Sequence, residues 1–340
     1  MSFRTATLVA AILVISEAAG AGVSAAVDGG VPSLDVATGQ ATRLLVVASH
    51  PDDETLGAGG LMRRVAVHGG AVRVVWMTSG DGFPEGVETA EGITHPTPQD
   101  YQSYGGLREF EARAAMASLG IARQSLSFLG FPDEGLCELA STYLSAKVQA
   151  FRSPYTARIS PPSTERVIRG VRYRGTDVRR ELERLFIEFA PTLVVIPHPD
   201  DAHPDHCSTH IFVREALDAM AAAGRPRPRI LHSLIHYRQW PLSADAGTGS
   251  DVRPPEGFPA IEGRWASLAL TADEAAAKRH ALLLYRSQLL VIGRFMLAFD
   301  RSNELFLEGE PASMPKCWCN GENVATELPP SGYRRRRVAR

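Results

Sequence analysis

The stretch that decides the fold is LLVVASHPDDETLGAGG, residues 44–60. Its first five residues form an apolar run of the kind found in strands buried on both faces of a sheet. The run stops at His50, and three acidic residues follow within the next four positions. Small residues then begin a stretch with helical spacing through Leu61 and Val65. A buried strand, a polar turn and a helix indicate a parallel α/β sheet, in which ligands bind at the carboxyl ends of the strands.

A second stretch, LVVIPHPDDAHPDH at residues 193–206, repeats this arrangement. An apolar run again ends in a cluster of histidine and aspartate. Because the carboxyl ends of parallel strands meet at the same edge of a sheet, we expect the two polar clusters to form one site.

The rest of the chain alternates between apolar strands and amphipathic helices, which predicts a three-layer α/β/α sandwich with a mainly parallel, Rossmann-like sheet. Further strands are predicted at 72–77, 125–129, 192–196 and 230–237. Helices are predicted at 55–67, 107–119, 176–189, 207–223 and 272–289. Stretches rich in glycine and proline predict irregular loops at 83–106, 150–175 and 242–262.

The N-terminus predicts export. The apolar segment 6–15 is shorter than the roughly 20 residues that span a bilayer, and it follows Arg4 as in a secretory signal. Val23-Ser24-Ala25 fits a cleavage site, and a short uncleaved anchor is the alternative. We therefore predict four segments, with no stable membrane span: a signal peptide (1–25), a linker (26–42), one catalytic domain (43–310) and an irregular, arginine-rich tail (311–340).

Composition narrows the class of protein. The 340 residues are 44% hydrophobic and 22% charged, as in ordinary globular proteins. A net charge of −2 gives no general attraction to nucleic acid, and we predict no nucleic-acid partner. Four cysteines do not make a disulfide scaffold in a chain of this length. A bridge within Cys317-Trp318-Cys319 would close a very tight ring, so unpaired or distantly paired cysteines are favoured.

The acidic turn favours a metal over a nucleotide. Gly57–Gly60 lacks the spacing of a dinucleotide fingerprint, and the neighbouring carboxylates would repel phosphate. His50 and Asp53 can converge on one ion, and one histidine from 203–206 would complete three ligands and leave a position for water. Asp52 would then accept a proton from that water. For the first motif alone a helix cap is an equally good interpretation, but the second motif disfavours it.

The segments Ser49–Glu54 and His203–His206 resemble the paired motifs of the LmbE-like, or N-acetylglucosaminyl-phosphatidylinositol de-N-acetylase (PIG-L), family. The resemblance covers roughly 43–310. Weaker points of agreement are Arg108-x-x-Glu111, Pro132-Asp133, Lys278, Tyr285-x-Ser287-Gln288 and Arg301-x-x-Glu304.

This resemblance implies a zinc-dependent hydrolase that removes an acetyl group from an N-acetylated amino sugar of the GlcNAc type. It implies that His50, Asp53 and His206 bind the metal and that Asp52 is the general base. His203 would stabilise the oxyanion or protonate the departing amine. Other divalent transition metals also suit such a set of nitrogen and oxygen ligands.

The resemblance also implies three supporting residues. Arg108 and Asp133 would face sugar hydroxyls, and Asp205 would orient a histidine ligand. Some relatives place a tyrosine just before the second motif, whereas this chain has Asp200-Asp201-Ala202. Tyr237 is one candidate for its place.

The predicted substrate is a small molecule, an oligosaccharide or a glycolipid outside the cytoplasm. Two alternatives are an amidase acting on a non-sugar or glycosylated metabolite and a sugar-binding relative without turnover. The intact set of motif residues argues against the second alternative.

Overall fold

The structure is a computed structural model, and it describes residues 30–162, 168–242, 250–258, 264–309 and 317. Within these residues seven strands and eight α-helices follow one another. The strands are β1 (Arg43–Ala48), β2 (Ala71–Thr78), β3 (Leu126–Phe131), β4 (Leu193–Pro197), β5 (Arg229–Ser233), β6 (Arg264–Ala269) and β7 (Asn303–Glu308). The helices are α1 (Asp53–Val67), α2 (Pro84–Glu91), α3 (Pro98–Ser118), α4 (Leu136–Ala140), α5 (Gly175–Phe189), α6 (Pro204–Ala222), α7 (Ala272–Leu282) and α8 (Arg286–Leu297).

All seven strands form one sheet in the order β3-β2-β1-β4-β5-β7-β6. The first five strands pair in parallel, whereas β7 pairs antiparallel with both β5 and β6. The predicted mainly parallel α/β sheet is confirmed. The antiparallel pair β6 and β7 was not predicted from the sequence.

Helices cover both faces of the sheet, and β1 shows how the two cores divide. Leu44 and Val46 point into one core with residues of α1, α3 and α7. Leu45 and Val47 point into the other core with residues of α5 and α6. This alternation follows from the two-residue period of a strand. The result is the predicted three-layer sandwich.

The small residues at the start of α1 allow a kink that another part of the chain stabilises. Ala58 departs from helical geometry, with φ −148° and ψ 18°. The backbone N–H groups of Gly60 and Leu61 donate to the carboxylate of Glu304 at 2.7 and 2.9 Å. Lys278 Nζ also donates to Glu304, at 2.8 Å. Glu304 and Lys278, two of the weaker points of agreement with the family, therefore hold α1 in place against the sheet.

The predicted loop at 83–106 is wrong. It contains α2 and the first turns of α3, which begins nine residues before the predicted start at 107. Thr97 and Asp100 form a capping box at that helix start. The paired glycines at 105 and 106 disguise the helix, because glycine lowers helix propensity. Gly105 is needed for packing: a Cβ there would lie 2.9 Å from the Cβ of Asp81.

Other predicted boundaries also change. The single helix predicted at 272–289 divides into α7 and α8. The fold begins before residue 43, because part of the predicted linker is joined to β6. The backbone N–H of Leu34 donates to the carbonyl of Ser267, and the backbone N–H of Ser267 donates to the carbonyl of Pro32. The described residues from Val31 onward belong to one compact unit.

The signal peptide predicted at 1–25 lies outside the described residues, as does the tail at 311–340 apart from Cys317. Among the helices in the described ranges, none has both the length and the apolar character needed to cross a bilayer.

Candidate metal centre and active site

The candidate site lies where the order of the strands reverses. β1 and β4 are neighbours in the sheet, and the helices that follow them, α1 and α6, pack on opposite faces. Their loops therefore diverge and leave a crevice at the carboxyl edge, which is where open α/β sheets bind ligands. Both polar clusters predicted from the sequence lie at this crevice.

Three predicted ligands converge there. His50 Nδ1 lies 3.3 Å from Asp53 Oδ2, and His206 Nε2 lies 3.1 Å from the same oxygen. The two ring nitrogens are 3.4 Å apart. Donors about 2.0–2.1 Å from a tetrahedral zinc ion would be about 3.3–3.4 Å from one another. The residues present therefore fit a zinc ion with three protein ligands.

Each of the two predicted histidine ligands has a carboxylate against its outer nitrogen. His50 Nε2 lies 3.0 Å from Asp133 Oδ1 and 3.4 Å from Asp205 Oδ2. His206 Nδ1 lies 3.1 Å from Asp201 Oδ2. Such carboxylate–histidine pairs fix the ring and its tautomer, so that the other nitrogen is free to bind a metal. Asp205 thus contacts His50, and its role in orienting a metal ligand stays a prediction.

Asp201 was not singled out from the sequence. Its carboxylate also accepts hydrogen bonds from the backbone N–H groups of His203, Ile235 and His236, at 3.0, 2.8 and 3.0 Å. Burial alone would raise the pKa of Asp201, but the adjacent His206 holds it below its usual value. Asp201 therefore fastens the loop after β5 to the second motif. The sequence signal was only a second aspartate two residues before His203.

Asp52 occupies the start of α1 without capping it. Its φ of 129° is a strained value for a residue with a side chain, and its carboxylate makes no capping hydrogen bond. The carboxylate instead accepts from Arg108 Nη2 at 3.2 Å. Burial raises the pKa of Asp52 to about 7, and the attraction of Arg108 opposes this rise. The interpretation of Asp52 as a helix cap is therefore wrong.

His203 is the first residue of the second motif and caps α6. Its Nδ1 accepts from the backbone N–H of Asp205 at 3.2 Å, which leaves the hydrogen on Nε2 in the neutral ring. That Nε2 lies 3.3 Å from Glu134 Oε1. Glu134 was not predicted as a site residue, although it follows Pro132-Asp133 directly and has a left-handed backbone with φ 58°.

The two predicted substrate-binding residues are both at the crevice and already have protein partners. Arg108 donates to the carbonyls of Pro51 and Gly80, in addition to Asp52. Asp133 accepts from the backbone N–H of Gly82 at 2.6 Å and contacts His50. These contacts hold Asp52 and His50 at the crevice, and a role of Arg108 and Asp133 in binding sugar hydroxyls stays a prediction.

Where some relatives have a tyrosine just before the second motif, this chain has Ala202, whose backbone N–H donates to the His236 carbonyl at 2.8 Å. The hydroxyl of Tyr237 donates to the Gly257 carbonyl at 3.2 Å, so it already has a partner in the protein. The ring centroid of His236 lies 5.5 Å from that of His203 and 5.0 Å from that of His206. Burial lowers the pKa of His236 to about 3, so this ring is neutral.

A disulfide lies next to the site. Cys207 directly follows His206 and is bonded to Cys317, with the two Cα atoms 5.6 Å apart. The distant pairing favoured from the sequence is therefore confirmed for this pair. Cys137 is also disulfide-bonded, and its partner lies outside the described residues.

Curated proteins are similar to this chain in sequence. A 1D-myo-inositol 2-acetamido-2-deoxy-alpha-D-glucopyranoside deacetylase from Rhodococcus jostii (strain RHA1) is 34% identical over 191 residues, covering 54% of this chain and 56% of that protein. A protein of the same name from Mycobacterium leprae (strain Br4923) is 26% identical over 273 residues, covering 73% and 81%. The chain spans about half the length of the first curated relatives it matches.

Two solved structures are also similar. The antimicrobial reagent A40926 pseudoaglycone deacetylase has a TM-score of 0.49 and 19% identity over 78% of this chain and 96% of that chain. The N,N'-diacetylchitobiose deacetylase from Pyrococcus horikoshii has a TM-score of 0.44 and 16% identity over 77% and 82%. The sequence model of the PIG-L family, described as GlcNAc-PI de-N-acetylase, matches residues 45–217, which include both motifs. The chain belongs to the PIG-L family.

Proposed function

We propose that the protein is a zinc-dependent hydrolase that removes the acetyl group from an N-acetylated amino sugar of the GlcNAc type. The observation that carries this proposal is the triangle of donor atoms from His50, Asp53 and His206. Asp52 is the residue before Asp53, and its carboxylate contacts Arg108. Curated relatives are named as deacetylases of an acetamido-glucopyranoside, which supports this substrate class.

His50, Asp53 and His206 would hold the ion. When bound, zinc would supply Lewis acidity for the amide carbonyl and would lower the pKa of water. The remaining chemistry belongs to the chain itself. Hydrolysis forms a bond from the oxygen of water to the carbonyl carbon and breaks the bond from that carbon to nitrogen, which releases acetate and an amine.

Asp52 takes the proton from the attacking water. A carboxyl group whose pKa lies near neutrality is a suitable base, because it is deprotonated at the operating pH and still basic enough to hold a proton. Arg108 keeps this carboxylate in place through its contact at 3.2 Å. The Asp52 carboxylate makes no hydrogen bond to the N–H groups of the helix, so these groups do not compete for it.

His203 supplies a hydrogen at Nε2. The backbone N–H of Asp205 fixes the ring, and Glu134 faces the Nε2 atom. This hydrogen can stabilise the developing oxyanion or pass to the departing nitrogen. The neutral His236 lies close enough to His203 to contribute a second donor in place of the tyrosine found in some relatives.

Export is part of the proposal. A disulfide between Cys207 and Cys317 is characteristic of proteins from oxidising compartments, and the apolar segment at 6–15 fits a secretory signal. Cell fractionation followed by N-terminal sequencing of the mature protein tests it. A protein retained in the cytoplasm with an intact N-terminus would contradict it.

Acetate release from a panel of N-acetyl sugars tests the activity. The zinc-loaded protein should release acetate, and Asp52→Asn should lower kcat by at least about 10²-fold because the base is lost. The metal content of Asp52→Asn should equal that of the wild type, since Asp52 is outside the ligand triangle. Loss of zinc from Asp52→Asn would overturn the assignment of base and ligands. Full zinc occupancy without acetate release would favour an amidase of other substrates or a binding protein.

A further inference from the structure

Three histidines that the proposed reaction does not use form a buried cluster. His210 on α6 and His232 on β5 are 0% and 1% exposed, and His198 follows β4 directly. The ring centroid of His232 lies 5.2 Å from that of His210 and 5.7 Å from that of His198. Buried polar atoms are costly unless they are bonded, so the partners of these rings indicate what the cluster can bind.

The Nδ1 atoms of His210 and His232 are both bonded to backbone carbonyls. His210 Nδ1 lies 3.3 Å from the oxygen of Pro197, and His232 Nδ1 lies 3.3 Å from the oxygen of Leu307. Because a carbonyl can only accept, each Nδ1 carries the hydrogen and each Nε2 has a lone pair. Burial lowers the pKa of His210 to about 3 and lowers the pKa of His232 well below its usual value, so both rings are neutral. Among the described residues, neither Nε2 atom has a hydrogen-bond partner.

The contacts of the two Nδ1 atoms set the direction of the two Nε2 atoms. Pro197 is on β4 and Leu307 is on β7, and these strands flank β5 on opposite sides. The two nitrogens of an imidazole point in nearly opposite directions, so each Nε2 points away from the strand that its Nδ1 contacts. The two lone pairs therefore converge on the space between the rings.

The rings of His210 and His232 are related in the same way as the two histidines of the candidate metal centre. The centroids of His50 and His206 are 5.3 Å apart with an interplanar angle of 35°, and those of His210 and His232 are 5.2 Å apart with an angle of 32°. Two imidazoles bound to one tetrahedral zinc ion would have their centroids about 5 Å apart. A hydrogen bond from Nδ1 to a backbone carbonyl is also common in histidines that bind a metal through Nε2.

We propose that His210 and His232 bind a second divalent transition-metal ion through their Nε2 atoms. Imidazole nitrogens suit zinc, copper and nickel, and two of them leave two positions of a tetrahedral ion for water or a small anion. His198 Nδ1 accepts from the backbone N–H of Asp200 at 3.0 Å, so the hydrogen of the neutral His198 ring is on Nε2 and is available to such a ligand. The ion would fasten α6, the helix that begins with the second motif, to β5.

Equilibrium dialysis against zinc, followed by elemental analysis of the protein, tests this second site. The wild type should bind two zinc ions per chain. His232→Gln and His210→Gln should each bind one, because a single imidazole does not retain the ion. His206→Ala should also bind one, since it changes only the candidate metal centre. His280→Gln changes an exposed histidine on α7 and is the matched control, which should bind two.

The number of zinc ions decides the proposal without any measurement of acetate release, so it does not depend on the proposed function. One ion in the wild type that His206→Ala removes, or two ions in His232→Gln or His210→Gln, would overturn the second site. The buried rings would then share a hydrogen-bond donor such as water. Anomalous diffraction from wild-type crystals at saturating zinc needs no variant. A peak within about 2.0–2.1 Å of both Nε2 atoms would support the proposal, and no peak between the rings would overturn it.

Discussion

At the scale of single residues, the site depends on side chains that are held by neighbours rather than by their own elements. Asp52 is the clearest case. Its φ of 129° is strained, and three carboxylates of the first motif lie within three consecutive positions. Each carboxylate has a different environment: Asp52 contacts Arg108, Asp53 faces two histidines, and Glu54 accepts from Trp76 Nε1 at 2.7 Å. Adjacent acids therefore have separate roles.

Arg108 should set the acid limb of the pH–rate profile. The general base is active when deprotonated, so activity should rise with pH through the pKa of Asp52. Because the Arg108 guanidinium lowers that pKa, Arg108→Gln should move the acid limb of kcat/KM to higher pH. Arg113→Gln, which changes an arginine paired with Glu109 on the same helix, should leave the limb unchanged. An acid limb that stays in place or moves to lower pH in Arg108→Gln would contradict the assignment of Asp52.

Asp201 should control metal affinity through His206. Removing the carboxylate that supports a histidine ligand typically weakens metal binding, so Asp201→Asn should raise the dissociation constant for zinc about 10- to 100-fold. Competition with a chromogenic chelator measures this constant. Asp200→Asn, a change at the exposed neighbouring residue, is the matched control and should leave it unaltered. Equal affinities in Asp201→Asn and wild type would show that Asp201 does not position the ligand.

At the scale of elements, the strands formed by long apolar runs of sequence were predicted most accurately. The strands β1 and β4 lie within one or two residues of their predicted bounds, because a continuous run of β-branched residues is typical of a strand buried in a parallel sheet. The start of α3 was missed because Gly105 and Gly106 obscure the helical pattern. The reason for Gly105 is the close approach of Asp81, a tertiary contact that no local pattern contains.

The contact between α1 and β7 should contribute strongly to the stability of the protein. Glu304 and Lys278 are both buried, and Glu304 also satisfies the N–H groups of Gly60 and Leu61. Glu304→Ala leaves a buried ammonium without its partner and should lower the free energy of unfolding by about 3–5 kcal/mol, measured by urea denaturation.

Two variants test that interpretation. Glu304→Gln should lower the free energy of unfolding less than Glu304→Ala does, since the amide oxygen of glutamine still accepts from the helix. Glu308→Gln changes a more exposed ion pair on the same strand and should cost no more than about 1 kcal/mol. If Glu304→Ala and Glu308→Gln lowered the free energy of unfolding by similar amounts, the buried contact would contribute no more to stability than the exposed one.

At the scale of the whole molecule, the sequence predicted that two distant stretches form one site, because parallel strands place their carboxyl ends together. The supporting carboxylates Asp201 and Glu134 could not be assigned in this way. Their roles depend on side-chain distances across loops that have no periodic pattern. The disulfide partner of Cys207 could not be predicted either, since Cys317 lies 110 residues away in sequence.

The most direct test of the account is anomalous diffraction at the zinc edge from crystals of the zinc-loaded protein. We expect one strong peak within about 2.0–2.3 Å of His50 Nδ1, Asp53 Oδ2 and His206 Nε2. A peak coordinated instead by His50, Asp133 and Asp205, whose donor atoms also lie within 4.8 Å of one another, would contradict the proposed centre, as would the absence of any peak in this crevice.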